Sequence, residues 1–292
     1  MKILVTGSNG QLGWEICRQG KERGISIMPL DIPEFDITDR AAVGRAVSGS
    51  EADLVVNCAA YTAVDRAESD QKSAFAVNSD GPFYLAAASS ERGIPLIHIS
   101  TDYVFDGCKA GAYVETDRVS PVGVYGRSKA DGEEKVRQTL KEHIIIRTSW
   151  LCGVHGNNFV KTMLNLGRER DEIRVVADQS GCPTFAADLA GAILDISLKI
   201  CNGQRDSWGT YHYCGGGRTT WFAFASKIFE IAKGFEQLRV KKVIPISTAE
   251  YPTAATRPPN SVMDCSMLAC NFNISQPIWE DSLATMLAGL YS

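Results

Sequence analysis

Residues 2–23 constrain the fold more than any other stretch of the chain. Lys2–Thr6 is a short apolar run of strand character, Gly7-Ser8-Asn9-Gly10-Gln11-Leu12-Gly13 follows it directly, and Gln11–Arg23 has the apolar spacing of an amphipathic helix. A strand that feeds a helix through a turn this rich in glycine lets its backbone approach a ligand closely, and the helix start offers unpaired N–H groups and the positive end of its dipole. Such a turn suits a pyrophosphate, with Gly7, Gly10, Gln11, Leu12 and Gly13 as its contacts. The GxxGxxG spacing alone is weak and a plain glycine turn would show it too; its place between a strand and a helix gives it weight.

The rest of the first half repeats this alternation. Strands are expected at Ser26–Leu30, Leu54–Asn57, Pro95–Ser100 and Ile144–Thr148, and helices at Thr38–Val47, Ala74–Arg92 and Tyr125–His143. Strands alternating with helices predict an α/β fold, a Rossmann-like doubly wound parallel sheet with helices on both faces. Past Trp150 the pattern weakens, with turn residues at 153–157 and 201–208 and repeated prolines from Pro245 to Pro259. Residues 1–150 are therefore expected to form the dinucleotide-binding domain. Residues 151–292 form mainly a smaller carboxy-terminal substrate-binding lobe, with some segments returning to the sheet. Helices are expected there at Asn158–Arg170, Phe185–Lys199 and Trp221–Gly234.

Composition excludes several classes. At 292 residues, 45% hydrophobic and 22% charged, the chain can bury a sizeable core, and its longest apolar run, Phe83 to Ala88, is far too short to span a bilayer. The amino terminus lacks the apolar core of a secretory signal, and nine scattered cysteines without a CxxC pair read as reduced, so a cytoplasmic location is expected. A net charge of −4 gives no general attraction to nucleic acid or to an anionic membrane. The four histidines show no metal-ligand spacing.

The chemistry-bearing residues fall at strand ends. Asp31 closes the second strand, where a carboxylate can accept hydrogen bonds from both hydroxyls of an adenosine ribose and repel a 2′-phosphate. A turn or cap aspartate would stand there equally well. Asp36 and Ile37 are placed beside the adenine. Ala59, Ala60, Tyr61 and Thr62 follow the third strand, their small side chains leaving room for a cofactor or for tight packing. Tyr125 and Lys129 form the only YxxxK in the chain, and residues four apart at a helix start share a face. The Lys129 ammonium is thus expected near the Tyr125 phenol, lowering its pKa so that the phenol can act as an acid, while also holding the nicotinamide ribose. Thr101, after the fourth strand, can hydrogen-bond the carbonyl that Tyr125 protonates. An exposed Tyr-Lys pair and a turn-forming threonine are the plainer alternatives.

Taken together, these residues resemble the extended short-chain dehydrogenase/reductase family. The longer strings Asn57-Cys-Ala-Ala-Tyr-Thr-Ala-Val-Asp65, Ser100-Thr-Asp-Tyr-Val-Phe-Asp-Gly107, Arg147-Thr-Ser-Trp150, Gly156-Asn-Asn-Phe159, Asp178-Gln-Ser-Gly-Cys-Pro-Thr184 and Arg257-Pro-Pro-Asn-Ser261 resemble its dTDP-4-dehydrorhamnose reductase branch across almost the whole chain. The resemblance implies reduction of the C4 ketone of dTDP-4-dehydro-L-rhamnose to dTDP-L-rhamnose with NADH or NADPH. By motif position it puts Thr101, Asp102 and Trp150 at the sugar nucleotide, with Tyr103 and Asn158 as further substrate-site candidates. The Trp150 indole can form an apolar wall for a deoxysugar, although a lone tryptophan is more often core. Arg257 is a candidate for the diphosphate through its planar fork of donors, or a surface arginine. The rival readings are another nucleotide-sugar reductase or epimerase of this fold, and a non-catalytic regulatory subunit resembling methionine adenosyltransferase β.

Some members of the branch resemble one another in a metal-linked dimer built on a first-helix glutamate and two later carboxylates. Glu15 matches the first, but Ala187 and Gly191 stand at the later positions with only Asp188 nearby. That is a poor oxygen set for Mg²⁺, so no metal is expected, and the protein is expected as a monomer or a homodimer joined without metal.

Overall fold

The structure, a computed structural model, describes Met1 to Ser292. In chain order the first half holds β1 (Lys2–Thr6), α1 (Gln11–Glu22), β2 (Ser26–Leu30), α2 (Arg40–Gly49), β3 (Leu54–Asn57), α3 (Val64–Ala67), α4 (Gln71–Phe75), α5 (Gly81–Arg92), β4 (Leu96–Thr101), α6 (Val124–Thr139) and β5 (His143–Thr148). The second half holds β6 (Leu151–Cys152), α7 (Phe159–Glu169), β7 (Glu172–Val176), β8 (Ser180–Gly181), β9 (Thr184–Phe185), α8 (Ala186–Cys201) and β10 (Gly209–His212). It closes with β11 (Thr219–Thr220), α9 (Trp221–Ala232), β12 (Lys242–Ile246), α10 (Ser266–Phe272) and α11 (Trp279–Tyr291).

Strands β1 to β5 and β10 form one sheet in the order β10-β5-β4-β3-β1-β2, and every neighbouring pair is parallel. Period-two alternation sorts its side chains. Ile3 and Val5 point to the face covered by α1 and α8, whose Leu12, Ile16, Leu189 and Ile193 join them in one core. Leu4 and Val55 point to the opposite face and meet Val43 of α2, Leu85 of α5 and Val136 of α6. Both faces are thus closed by amphipathic helices, as an all-parallel sheet requires. A second core joins α7, α9 and α11 with β7 through Val160, Leu164, Ile173, Phe224, Ile228, Leu283 and Leu287. Parallel pairing of β7 with β12 supports it.

Several boundaries differ from the sequence expectations for local reasons. Helix α2 starts at Arg40 rather than Thr38 because the Asp39 carboxylate caps it, accepting from the N–H groups of Ala41 and Ala42 at 2.9 and 3.1 Å. The expected helix at Ala74–Arg92 is α4, a π-helical turn at Ala76–Asp80, and α5. That wide turn carries Asn78 inward, where its side chain accepts from Tyr61 N–H at 2.8 Å and donates to the Tyr61 carbonyl at 3.1 Å and to Ser128 Oγ at 3.0 Å. Strand β10 was not expected: four residues starting from Gly209 are too few to show a period. It forms the edge of the large sheet beside β5, and α8 packs against that sheet, as do Leu268 and Phe272 of α10. No helix is long and apolar enough to cross a membrane.

A candidate active-site cleft

From β1 the chain moves outward to β2 and then returns past β1 to β3, so strand order reverses between β1 and β3. In open α/β sheets that reversal leaves a crevice at the carboxyl ends of the strands. A cleft of about 780 Å³ occupies this place. It brings together Gly7, Gly10, Gln11, Leu12, Gly13, Asp31, Asp36, Ile37, Ala59, Ala60, Tyr61 and Thr62 at one end and Thr101, Asp102, Tyr103, Tyr125, Lys129 and Trp150 at the other.

At the glycine end, Gly7 has φ +69°, and a Cβ there would lie 2.5 Å from the Ala59 backbone nitrogen. Only glycine allows β1 and the segment after β3 to converge this closely. Gly10 is the N-cap of α1 and supplies no side-chain cap, so the first turn of the helix faces the cleft without a side chain of its own across it. The Asp31 carboxylate accepts from Asn9 N–H at 2.7 Å and from Ile32 N–H at 2.8 Å. It therefore fastens the glycine turn to the end of β2 while lining the cleft, so the turn role and the ligand-facing position coexist. The Asp36 carboxylate accepts from both the N–H and the hydroxyl of Thr38 at 2.8 Å, and Ile37 is buried.

At the other end, α6 presses onto the turn after β4. A Cβ at Gly126 would lie 2.9 Å from Pro121 Cβ and 3.0 Å from the Tyr103 carbonyl carbon, so glycine is what allows this approach. The approach sets the Tyr125 ring edge-on to Tyr103, centroids 5.5 Å apart, with the Thr101 hydroxyl beside the phenol. Thr101 Oγ1 donates to Asp102 Oδ1 at 2.9 Å and accepts from Tyr103 N–H at 3.2 Å.

The electrostatics correct one expectation. The Lys129 ammonium is buried and donates to the Ile99 carbonyl at 2.6 Å, and burial lowers its pKa to about 8. Tyr125 is not lowered: burial pushes the phenol above its usual value, the Asp102 and Tyr103 side chains add to the rise, and the Thr101 hydroxyl is the group that opposes it. Sharing a helix face does not bring the charge to the phenol, because the long lysine stem reaches a β4 carbonyl instead. Asp102 is itself raised to about 6 by burial, against the opposing influence of the nearby Ser261 and Thr101 hydroxyls.

Trp150 stands at φ +49° and stacks on Trp221, centroids 3.6 Å apart and planes 12° from parallel. The indole is half-buried and forms part of the cleft wall. Two expected substrate residues do not line the cleft. Asn158 caps α7, accepting from Lys161 N–H at 3.1 Å, and donates to Gln11 Oε1 at 2.9 Å and the Gly153 carbonyl at 2.7 Å. Arg257 is paired with Asp65 at 2.6 Å, beside Tyr103.

Sequence reasoning missed His155, whose ring stacks on Trp14 at 5.1 Å and hydrogen-bonds the Asn9 carbonyl at 2.9 Å, tying the 153–158 loop to the glycine turn. It also missed Thr148, Ser149, Gly156 and Asn157 as lining residues. The strings around Trp150 and Asn158 contain all four and were the available signal.

Comparison with known proteins agrees with this geometry. The family model described as "RmlD substrate binding domain" matches residues 1–292. A dTDP-4-dehydrorhamnose reductase of Sinorhizobium fredii is 43% identical over 99% of this chain and 98% of its own. The crystal structure of a dTDP-4-dehydrorhamnose reductase from Clostridium acetobutylicum superposes with a TM-score of 0.93 at 40% identity, covering 100% of both chains. That of the Bacillus anthracis reductase, solved in complex with NADP, gives 0.91 at 40% identity, covering 99% of both. With a family match over the full length and relatives this similar end to end, the chain belongs to the dTDP-4-dehydrorhamnose reductase family.

Proposed function

We propose that this protein reduces the C4 ketone of dTDP-4-dehydro-L-rhamnose to the alcohol of dTDP-L-rhamnose. The observation that carries the reading is the meeting of Thr101, Tyr125 and Lys129 at one end of a cleft whose other end is the glycine turn. The donor set fits a nicotinamide dinucleotide. The cradle at Gly7 excludes any side chain, the uncapped start of α1 suits a pyrophosphate, and Asp31 suits a ribose. A bound NADH or NADPH supplies the hydride. Asp31 places a negative charge where a 2′-phosphate would lie, which favours NADH.

The chain's own groups handle the oxygen. Thr101 donates a hydrogen bond to the ketone, and Tyr125 delivers its proton to the oxygen as negative charge develops there. A phenol pKa raised by burial serves this acid, because it keeps the proton loaded at neutral pH and a developing alkoxide is more basic still. Lys129 retains donors beyond its bond to Ile99 and holds the nicotinamide ribose. Trp150, Asp102 and Tyr103 face the sugar.

Nine unpaired cysteines support a reducing, cytoplasmic setting. A dimer bridged by metal is disfavoured by the donors present: the Glu15 carboxylate is held by Arg18 at 2.9 Å, and the facing positions on α8 are Ala187 and Gly191. The test is to supply the 4-keto sugar nucleotide with NADH or NADPH, follow cofactor oxidation and identify the product by NMR. Tyr125→Phe should lower turnover roughly 100-fold or more while leaving the fold intact. Turnover of the variant near the wild-type rate would remove Tyr125 from the mechanism.

A further inference from the structure

Each reduction leaves Tyr125 as a phenolate, which must regain a proton before the next ketone can be served. This inference rests on the reduction proposed above. Three oxygen groups are grouped at the cleft end: the Thr101 hydroxyl lowers the Tyr125 phenol pKa from beside it, and that hydroxyl donates to Asp102 Oδ1 at 2.9 Å. Asp102 is only 3% exposed, its other oxygen, Oδ2, has no hydrogen-bond partner, and the side chain lines the cleft. A buried carboxyl oxygen without a partner is costly when charged and calls for a function.

No cation pairs with Asp102. Around it stand Thr101 and Tyr103 of its own turn, Tyr125 of α6, Cys182 before β9, and Ser261. Arg257, the cation beside Tyr103, is held by Asp65. We propose that Asp102 is the acid that reloads Tyr125, passing its proton through the Thr101 hydroxyl.

The carboxyl O–H of protonated Asp102 breaks as its proton moves to Thr101 Oγ1, and the original Thr101 hydroxyl proton moves to the phenolate oxygen. Phenol and threonine hydroxyl are restored and Asp102 is left as carboxylate. A proton from the bulk solvent, carried in by water entering the cleft after the product leaves, returns to Asp102 and replaces the one that left on the sugar alcohol. During hydride transfer Thr101 serves the ketone, and on product release its hydroxyl returns to Asp102. Burial holds the carboxyl at about 6, where both protonation states are accessible near neutral pH.

Rapid mixing with NADH and the keto sugar nucleotide separates the first turnover, which uses the proton already on Tyr125, from steady-state turnover, which requires reloading. Asp102→Asn keeps an acceptor for Thr101 but is no acid. Its steady-state kcat should fall at least roughly ten-fold further than its first-turnover rate, visible as a burst of one NADH oxidised per chain. In Asp102→Ala, added formate should raise the steady-state rate several-fold with the sugar-nucleotide KM unchanged. Infrared difference spectra of the cofactor-free protein should show a carboxyl band titrating at about 6 that Asp102→Asn lacks. First-turnover and steady-state rates that fall together, a rise in KM alone, or no response to formate would overturn the relay. No turnover by the wild-type protein would instead overturn the reduction itself, a failure distinct from one seen only in the variants.

Discussion

Replacing Gly126 by alanine is expected to do the opposite of what helix propensity alone would predict. Gly126 lies in the first turn of α6, and alanine in a helix is favoured over glycine by about 1 kcal/mol. The added methyl would, however, sit 2.9 Å from Pro121 Cβ and 3.0 Å from the Tyr103 carbonyl carbon, and nearer still to that carbonyl oxygen. Non-bonded carbons rest about 3.5–4.0 Å apart and the carbonyl oxygen is closer still, so helix and turn must separate by roughly 1 Å or more. The obstacle is backbone and a proline ring, neither of which can swing aside. Overpacking of this kind costs about 1–3 kcal/mol, leaving the variant less stable by up to about 2 kcal/mol after the propensity gain. Catalysis should suffer more. The separation opens between Tyr125 on the helix and Thr101 on the turn, and displacement on the order of 1 Å can cost about 100-fold in rate. Urea unfolding and steady-state NADH oxidation measure the two effects side by side. A variant as active as the wild type would show that the close approach of α6 to the β4 turn does not set the geometry of the acid.

Other substitutions probe the remaining contacts. Lys129 has its folded-state pKa lowered from 10.5 to about 8, so the unfolded chain binds more protons between those values and stability should rise with pH across that window. Lys129→Met should flatten the rise in pH-dependent urea unfolding, while lowering turnover by roughly 100-fold and weakening cofactor binding; a rise of the same slope in the variant would contradict the buried ammonium. Asp31→Ala should weaken NADH binding by roughly ten-fold and narrow any preference over NADPH, because it removes a charged acceptor and the repulsion of a 2′-phosphate. Fluorescence titration with both cofactors reads this, and an unchanged NADH affinity would place Asp31 away from the ribose. Trp150→Ala should raise the sugar-nucleotide KM by roughly ten-fold or more with a modest fall in Tm; a loss of about 3–5 kcal/mol of stability with KM unchanged would mark the indole as core packing.

Local patterns carried the first half of the fold. Strands β1, β2 and β3 have the expected limits because each is a short apolar run punctuated by glycine, proline or polar residues, and α1 differs from its expected end by one residue. What sequence left dark depends on partners far along the chain. β10 exists because Gly209–His212 finds the free edge of β5. The break between α4 and α5 exists because Asn78 is drawn inward to hold Tyr61 and Ser128, and a helical period offers no sign of such a pull.

The site divides along the same line. The cleft positions of Gly7, Asp31, Thr101 and Tyr125 were legible because the end of a parallel strand and the start of the next helix lie at the carboxyl edge of the sheet, wherever the rest of the chain goes. The partners of Asn158 and Arg257 were not, since Gln11 and Asp65 lie 147 and 192 residues away. Lys129 shows where the local rule stops. Spacing of four does put it on the face of Tyr125, but a lysine stem is long enough to choose among partners, and Ile99, 30 residues earlier, presents a carbonyl at 2.6 Å. In the mechanism proposed above, proton control at Tyr125 therefore passes from the neighbour on its own helix to the hydroxyl and carboxyl at the end of β4, Thr101 and Asp102. On that reading, helix geometry fixes where the proposed acid stands, and the strand turn governs its proton.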